Sequence, residues 1–202
     1  RVDLERFRYY AAWHDHANRR EYDAPADPRE PIRVDPRAVT AINNELRLNW
    51  GLGRVQGGDW DADEHCHALA ETAVYRGLVQ RFEEGLPWEE TAIYERAESA
   101  FEGGGSLRGY DSLAAFRRER CAYLDDLFER IDREGYRPNA EATHDNPAAD
   151  ENRYEDAYVH HLEPLVVIGR NGELLWTEGY HRLVIAAILG VDAIPVQVLA
   201  RH

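Results

Sequence analysis

The residues best suited to chemistry lie together near the C-terminus, in the segment Glu178-Gly179-Tyr180-His181-Arg182. An apolar pattern of helical spacing follows at once, so a helix is predicted to begin within this segment. Amide N–H groups without intrahelical acceptors and a partial positive charge favour phosphate at such a terminus. Gly179 permits close approach of a ligand, Arg182 offers a forked donor to phosphate oxygens, and His181 can donate a hydrogen bond or transfer a proton. The segment predicts an anion site, and a turn with Arg182 paired to a carboxylate is the structural alternative.

The last forty residues are predicted to hold this segment in place. An apolar strand is expected at 165–168, and Asn171-Gly172 is a strong signal for a two-residue hairpin. The chain then returns as a second strand over 173–176, forms an apolar helix over 181–189, and adds a third strand over 194–199. The candidate segment therefore lies at the seam between a buried strand and a buried helix.

An N-terminal helix and a first strand are expected before residue 60. Residues 3–22 have apolar side chains at helical spacing, and three prolines then break the pattern. Residues 31–36 are a strand candidate. A weak helix is predicted through a set of apolar residues that follows this strand, namely Val39, Ile42 and Leu46.

Residues 60–134 have the apolar spacing of three helices. The first is expected to begin near Asp61 and to end at Gly85, and the third is expected to end at Gly135. A polar, acidic stretch follows, which predicts a long loop or a mobile linker. The predicted organisation is an N-terminal helix with a linker (1–30), a first strand with its connecting segment (31–59), a helical insertion (60–136), an acidic loop (137–158) and a C-terminal core (159–202).

The composition is acidic, with a formal charge of -14 from 38 acidic and 24 basic residues, and all 24 basic residues are arginine. A lysine-free acidic chain resembles proteins of salt-loving cells, in which surface carboxylates hold hydration and salt screens their repulsion. The charge argues against sequence-independent DNA binding, which needs a basic face. It leaves room for a small local arginine site.

Cysteine usage and hydropathy bear on location. Cys66 and Cys121 do not make a disulfide framework, so a reducing cytoplasm is expected, and both thiols are interpreted as inert core residues. No apolar run approaches 18 residues and no secretory signal is evident, so no membrane segment is expected. The chain contains no methionine and is interpreted as a segment of a longer protein.

The C-terminal forty residues resemble the ParB/sulfiredoxin superfamily. The shared pattern comprises a Pro-initiated strand at 164–167, the turn at 179–182, an alanine-rich helix ending in Leu189-Gly190, and a strand containing Ile194-Pro195-Val196. Upstream, PIRVDPRAV at 31–39 is similar to the family's first strand. The resemblance implies an α/β (α+β) fold with a small mixed sheet, into which the largely helical region is inserted.

The resemblance also implies that the turn binds nucleotide phosphates through Gly179, Tyr180, His181 and Arg182. The implied cofactors are ATP, ADP or CTP, with Mg²⁺, and the implied partner is a nucleotide or a phosphorylated small molecule. Family members include partition proteins that bind a cytidine nucleotide and DNA, sulfiredoxins that use ATP, and free-serine kinases. Some members are described as nucleases.

Departures from the family narrow these functions. Sulfiredoxins have a cysteine where this chain has Tyr180, so sulfinic acid reduction lacks its nucleophile here. Partition proteins have two basic residues at the turn and a basic DNA-binding domain, whereas this chain is acidic, so chromosome partition is not expected. The serine kinases resemble this turn more closely and need a carboxylate base near the first strand, for which Asp35 or Glu30 is the candidate. Glu178 stands where many members have an aspartate and is predicted to hold the turn or to help orient a metal ion.

Two classes of function stay open. In the first, the protein is a phosphotransferase or phosphohydrolase, with a small-molecule kinase favoured over a nuclease and with Glu178, His181 and Asp35 as candidate catalytic residues. In the second, the domain is a non-catalytic binding or scaffold module of a longer protein, and the turn is a structural corner. Stabilisation by nucleotides distinguishes the two.

Other polar clusters are weaker candidates. Residues 59–67 concentrate seven potential metal ligands, but their spacing fits no strong signature, and helix capping is the favoured interpretation. His14 and His16 are two residues apart on a predicted helix, so they cannot share a face. His160 and His161 adjoin the second strand of the family core, where one of them could reach the turn.

Overall fold

A mixed seven-stranded sheet forms the centre of the protein. The computed structural model describes residues 4–23, 25–46, 48–139 and 162–202. Its strands are β1 (Ile32–Val34), β2 (Ala41–Asn43), β3 (Arg54–Val55), β4 (Cys66–Ala68), β5 (Leu165–Ile168), β6 (Leu174–Glu178) and β7 (Ile194–Arg201). The strand order is β1-β7-β5-β6-β2-β4, and β3 pairs with the C-terminal end of β7. The central strand β5 is parallel to β7 and antiparallel to β6.

The central strands are apolar on both faces because both faces are covered. Along β5, Val166 contributes to one core cluster while Leu165 and Val167 contribute to the other. β6 divides in the same way, with Trp176 in the first cluster and Leu175 in the second. All five side chains are at most 3% exposed. A strand that is buried on both sides needs an unbroken apolar run, which the sequence has here.

Helices pack on both faces of this sheet. Their bounds are α1 (Leu4–Glu21), α2 (Ala73–Phe82), α3 (Ala92–Glu102), α4 (Leu113–Ala115), α5 (Ala122–Glu134) and α6 (Tyr180–Ile188). α1 covers one face through Phe7 and Ala11, which share a core cluster with Trp60. The other five helices pack around the opposite core cluster, to which α6 contributes Leu183 and Ile185.

Residues 73–134 form a helical insertion between β4 and β5. Threonine side chains cap its first two long helices, since Thr72 accepts from the backbone N–H of Tyr75 and Thr91 from that of Tyr94. α2 and α3 approach closely at Gly77, where a Cβ would lie 2.8 Å from the backbone nitrogen of Ile93. The insertion packs against α6 through α2 and α5. This contact places insertion residues beside the candidate segment.

The mixed α/β class is confirmed, as are most of the predicted elements. α1 matches the helix predicted over 3–22, β1 lies within 31–36, and the C-terminal strand, hairpin, strand, helix and strand follow in the predicted order. The third insertion helix ends at Gly135 as expected, where the backbone N–H bonds to the carbonyl of Ile131 at 2.9 Å. The acidic loop predicted over 137–158 lies, beyond residue 139, outside the described residues.

One predicted helix is wrong, and so is the predicted start of another. In place of the weak helix through Val39, Ile42 and Leu46, the chain forms the short strand β2 around Ile42, which pairs with β6 on one side and β4 on the other. The helix expected from near Asp61 begins only at Ala73, because 3-10 turns and the strand β4 occupy residues 63–71. The sheet therefore also includes β2, β3 and β4, which lie between the first strand and the C-terminal core.

Candidate functional site

The turn from β6 into α6 has the sharp geometry that the sequence predicts. Gly179 follows β6 directly, adopts a left-handed backbone with φ 85°, and stands at the N-cap of α6. Its carbonyl accepts the first intrahelical hydrogen bond, from Leu183 at 3.2 Å. No side chain in the described part of the chain caps the helix. The first amide groups of α6 therefore keep the partial positive charge that attracts anions.

A cavity of about 330 Å³ adjoins the start of α6, and we call it the arginine cavity. Glu178 and His181 line it from the turn, and Arg96, Arg108 and Arg120 line it from the helical insertion. Its apolar wall includes Ile93, Leu107, Phe116 and Leu124. Among the described lining residues, three guanidinium groups against one carboxylate give a formal charge of +2, in a protein whose total is -14. The cavity is thus a local positive site on an acidic protein.

Arg108 reaches the cavity from a strained turn. It is the one non-glycine residue with positive φ among those that the structure describes, at 52°. Leu107 and Tyr110 exchange two backbone hydrogen bonds of 3.0 Å around it, and Gly109 supplies the second left-handed residue. Such two-residue turns favour Asn-Gly, and an arginine in the left-handed region costs about 1–3 kcal/mol. Strain of this kind is concentrated at functional sites, and here it directs a cation into the cavity.

Arg120 comes from a second irregular element. The chain between α4 and α5 forms a π-helical segment, Phe116–Cys121, a geometry that is rare and frequent at functional sites. Arg120 is 3% exposed, and its Nη2 lies 3.3 Å from Nδ1 of His181. Its guanidinium also lies over the ring of Tyr123, 5.1 Å from the centroid. The π-helical segment therefore brings a buried cation into direct contact with the α6 histidine.

The contact with Arg120 fixes the tautomer of His181. A guanidinium can only donate hydrogen bonds, so Nδ1 of His181 is the acceptor and Nε2 carries the proton. Burial holds the pKa of His181 well below its usual value, and the charges of Arg120, Arg108 and Arg96 lower it further. The imidazole is neutral at pH 7. In the unliganded site it serves as a hydrogen-bond donor through Nε2 and is a poor proton acceptor.

Arg182 lies away from the cavity, in a pocket of its own. Its Nη2 donates to the carbonyl of Arg137 at 2.7 Å, and its Nη1 donates to Oδ1 of Asn139 and lies 3.7 Å from Oε2 of Glu163. The guanidinium stacks on Tyr136, 4.5 Å from the ring centroid. These contacts match the structural alternative that the sequence left open. Arg182 fastens the chain after α5 to α6 and is not among the residues that line the arginine cavity.

The remaining candidate residues of the turn and first strand have structural contacts. Tyr180 donates from its hydroxyl to Oδ1 of Asn44 at 2.9 Å, and burial raises its pKa to about 12. Asp35 caps the 3-10 turn after β1 and bonds to the backbone and side chain of Arg37, which lowers its pKa. Glu30 is exposed. The structure thus brings Glu178 and His181 to the cavity, and does not bring Tyr180, Asp35 or Glu30 to it.

The acidic segment at 59–67 serves the fold. Asp61 accepts from the Arg170 side chain at 2.6 Å and from its backbone N–H at 2.6 Å, which ties the segment to the β5–β6 hairpin. The Arg170 guanidinium holds the pKa of Asp61 down to about 2. Within the described residues, no group of three or more His, Cys, Asp or Glu side chains is placed to hold a metal ion.

The remaining histidine and cysteine candidates that the structure describes have structural environments. His14 is buried, with Nε2 3.0 Å from the carbonyl of Trp50. Cys121 is fully buried, and burial raises its pKa to about 12, which makes it unreactive. His160 and His161 lie outside the described residues. None of the helices that the structure describes has the length and apolar character to cross a membrane.

We expect Gly179→Ala to lower the free energy of unfolding by about 1–3 kcal/mol. An alanine at this position would have to adopt a left-handed backbone, and its Cβ would lie 2.8 Å from Cβ of Pro164. The matched control is Gly190→Ala, which has φ 67° but no atom within 4 Å of the added Cβ. Urea unfolding of both variants separates backbone strain from the contact. An equal loss in the two variants would show that Pro164 moves aside without cost.

Sequence reasoning missed the three arginines of the cavity. Arg96, Arg108 and Arg120 are twelve residues apart in the chain and belong to three different elements of the insertion. The one local signal was Arg108-Gly109, whose glycine marks a turn without showing where its arginine points. Comparison of the chain with protein-family models, curated proteins and solved structures gave no match.

Proposed function

We propose that the protein binds a phosphorylated small molecule in the arginine cavity, with a nucleotide as the leading ligand. The observation that carries the proposal is the convergence of Arg96, Arg108 and Arg120 on His181 at the uncapped start of α6. Guanidinium groups match phosphate oxygens with paired N–H donors, and helix N-termini add backbone donors of the same polarity. The proposal keeps the turn as the phosphate site and replaces Arg182 with the insertion arginines.

Charge and size indicate the kind of phosphate. A lining charge of +2 complements a phosphate monoester, which carries about -1.5 to -2 at neutral pH. A volume of about 330 Å³ lies at the small end of ligand pockets, so the cavity suits a terminal phosphate with part of its carrier. ATP, ADP and CTP are the ligands that the resemblance to the ParB/sulfiredoxin superfamily implies, and membership of that superfamily remains part of the proposal.

In the enzymatic version, this site transfers or hydrolyses the phosphate. The arginines would stabilise charge on the phosphoryl oxygens, and Nε2 of His181 would donate to one of them. Glu178 is the one carboxylate among the described residues that line the cavity, so it is the candidate base and the candidate protein ligand for a Mg²⁺ ion that enters with the nucleotide. In the non-catalytic version, the same contacts bind the ligand without turnover.

The test is thermal stabilisation by ATP, ADP, CTP and inorganic phosphate, each with and without Mg²⁺, in high salt. A ligand at a hundredfold excess over its dissociation constant stabilises the native state by about 2.7 kcal/mol. We expect at least one of these ligands to raise the melting temperature. Single-turnover phosphate release then separates the two versions, because a binding module gives the shift without release. A flat melting temperature with every ligand would contradict the proposal.

A further inference from the structure

A second concave surface lies on α1, on the opposite face of the sheet from the helical insertion. Five aromatic side chains line it, and we call it the aromatic groove, formed by Tyr9, Tyr10, Trp13, Tyr22 and Trp50. The groove has a volume of about 730 Å³. Of the five large apolar side chains that are exposed among the described residues, four belong to it, with Tyr9 65% and Trp13 53% exposed. Rings this exposed are costly in water, and their concentration in one groove marks a binding surface.

Arg54 lies in this groove without an acidic partner among the residues that the structure describes. Its guanidinium lies 5.9 Å from the ring centroid of Trp50, and its Nε is buried without a hydrogen-bond partner among the described residues. No carboxylate of the described residues lies within 4 Å of it, and burial lowers its pKa. A buried N–H group without an acceptor is destabilising unless a ligand supplies one. An anion beside the aromatic rings would supply the acceptor that this N–H group lacks.

Two further cations extend this pattern along the groove. Arg6 lies 5.6 Å from the ring centroids of both Tyr10 and Trp50, and Arg201 lies 5.4 Å from that of Tyr22. Glu21 is the one carboxylate among the described lining residues. Tyr9 and Trp13 lie on α1 and Tyr22 follows its last residue, so this row of rings is about 20 Å long at 1.5 Å per residue. This length suits an extended chain with repeating planar and anionic groups.

We propose that the aromatic groove binds single-stranded nucleic acid, a function independent of the arginine cavity. Unpaired bases stack on Tyr9, Trp13 and Trp50, and a backbone phosphate is bound by Arg54. Bases stack on aromatic rings in sequence-tolerant sites of this composition, with arginines tracking the phosphates. A duplex hides its base faces, and the charge of -14 opposes the many phosphate contacts that duplex binding needs. Stacking needs few such contacts, so the acidic composition is compatible with this mode of binding.

The test uses fluorescence anisotropy of labelled single strands of about ten nucleotides, as DNA and as RNA. We expect saturable binding that falls with salt at a log–log slope between about -0.7 and about -2, since one to three phosphates are contacted. Tyr9→Ala and Trp13→Ala are each expected to weaken binding about 5- to 100-fold, with circular dichroism unchanged. Ile32→Ala is the matched control, since Ile32 is a 38% exposed apolar side chain outside the groove.

Four results would overturn the proposal. The first is the absence of saturable binding to both strands, and the second is binding that Tyr9→Ala and Trp13→Ala leave unchanged. The third is a mononucleotide or a duplex that binds as tightly as the single strand. The fourth is a wild-type protein that self-associates through the groove, shown by light scattering, with Trp13→Ala monomeric and equal to wild type in oligonucleotide affinity. The DNA and RNA arms identify which strand the groove prefers.

Discussion

The double variant Arg96→Gln/Arg108→Asn is expected to abolish nucleotide-dependent stabilisation at ligand concentrations that stabilise the wild type. Each of these arginines lines the cavity and offers a charged hydrogen bond to phosphate. Hydrogen bonds to charged groups contribute about 1.5–3 kcal/mol each, so the loss of two weakens binding by roughly 10² to 10⁴. No single replacement outside the cavity is expected to have a comparable effect.

The unliganded fold should tolerate both replacements. Arg96 is exposed on α3, where glutamine is almost as good a helix former. Arg108 has φ 52° in a two-residue turn, and asparagine is favoured over arginine at such a position. We therefore expect the unliganded melting temperature to stay level or to rise slightly. A rise would itself report the strain that Arg108 imposes on the wild-type turn.

The matched control removes the same charge elsewhere. Arg118→Gln/Arg133→Gln takes away two exposed arginines, with side chains 70% and 64% exposed, which pair with neighbouring glutamates outside the cavity. Both double variants shift the net charge from -14 to -16, by the loss of two cations. The control should keep the ligand-dependent rise in melting temperature. If both variants lose it equally, the net charge of the protein and not the cavity governs binding, and if both keep it, the ligand binds elsewhere.

The α6 turn was predictable, whereas the direction of its arginine was not. Glycine at the turn and the change from strand to helix periodicity are local signals, and they place Gly179 correctly. Consecutive residues of a helix point about 100° apart, and of this pair only His181 lines the cavity. Which of the two does so depends on Tyr136 and Glu163, whose contacts bind Arg182 on another side. Which residue lines the cavity is therefore decided by tertiary contacts, which the local sequence does not show.

The positions of the insertion arginines also depend on structure that the local sequence does not show. The long helix after Ser112 was predictable from its cap and its apolar spacing, and Ser112 does accept from the backbone N–H of Ala115. The π-helical segment within it was not predictable, because the buried residues at its start and beyond its end, Phe116 and Leu124, have a spacing that a regular α-helix also allows. Arg120 lies within this segment, and its side chain contacts His181. A small irregularity inside a correctly predicted element thus creates the site.

The strand β2 was not predicted, for a third reason. Val39, Ile42 and Leu46 are all buried, so the pattern identified core residues correctly while assigning them to the wrong element. Three apolar residues at helical spacing also fit a short strand flanked by turns, and pairing with β6 and β4 decides in favour of the strand. Short elements have weak local preferences, and tertiary pairing overrides them.

Sulfate affinity is expected to rise as the pH falls through the ordinary histidine pKa of about 6.5, by at most tenfold per pH unit. In the unliganded protein, burial and the three cavity arginines keep the pKa of His181 well below its usual value. A bound dianion offsets the arginine charges and so raises that pKa. Between the two pKa values, binding takes up a proton, and proton uptake makes affinity increase towards acid. Sulfate is the probe because phosphate changes its own charge near pH 6.

The stability of the unliganded protein should change with pH in the opposite direction. The unfolded chain protonates His181 near its ordinary pKa of about 6.5, whereas the folded chain does so only well below that value. Stability is therefore fully present above about pH 6.5 and is lost as the pH falls towards the folded pKa, by at most about 1.4 kcal/mol per pH unit for each such histidine. His14, whose pKa burial also lowers, adds a loss of the same sign.

The variants His181→Gln and His14→Gln assign these two slopes, with calorimetry for sulfate affinity and urea unfolding for stability. His181→Gln should flatten the affinity slope and remove part of the acid loss of stability. His14→Gln lies in the aromatic groove, away from the arginine cavity, so it should change stability alone. Affinity and stability change with pH in opposite directions only if a histidine has a lowered pKa in the unliganded protein and a higher pKa when the anion is bound. If affinity is independent of pH, or if His181→Gln keeps the wild-type slope, the anion does not bind beside His181, and the phosphate site lies elsewhere on the protein.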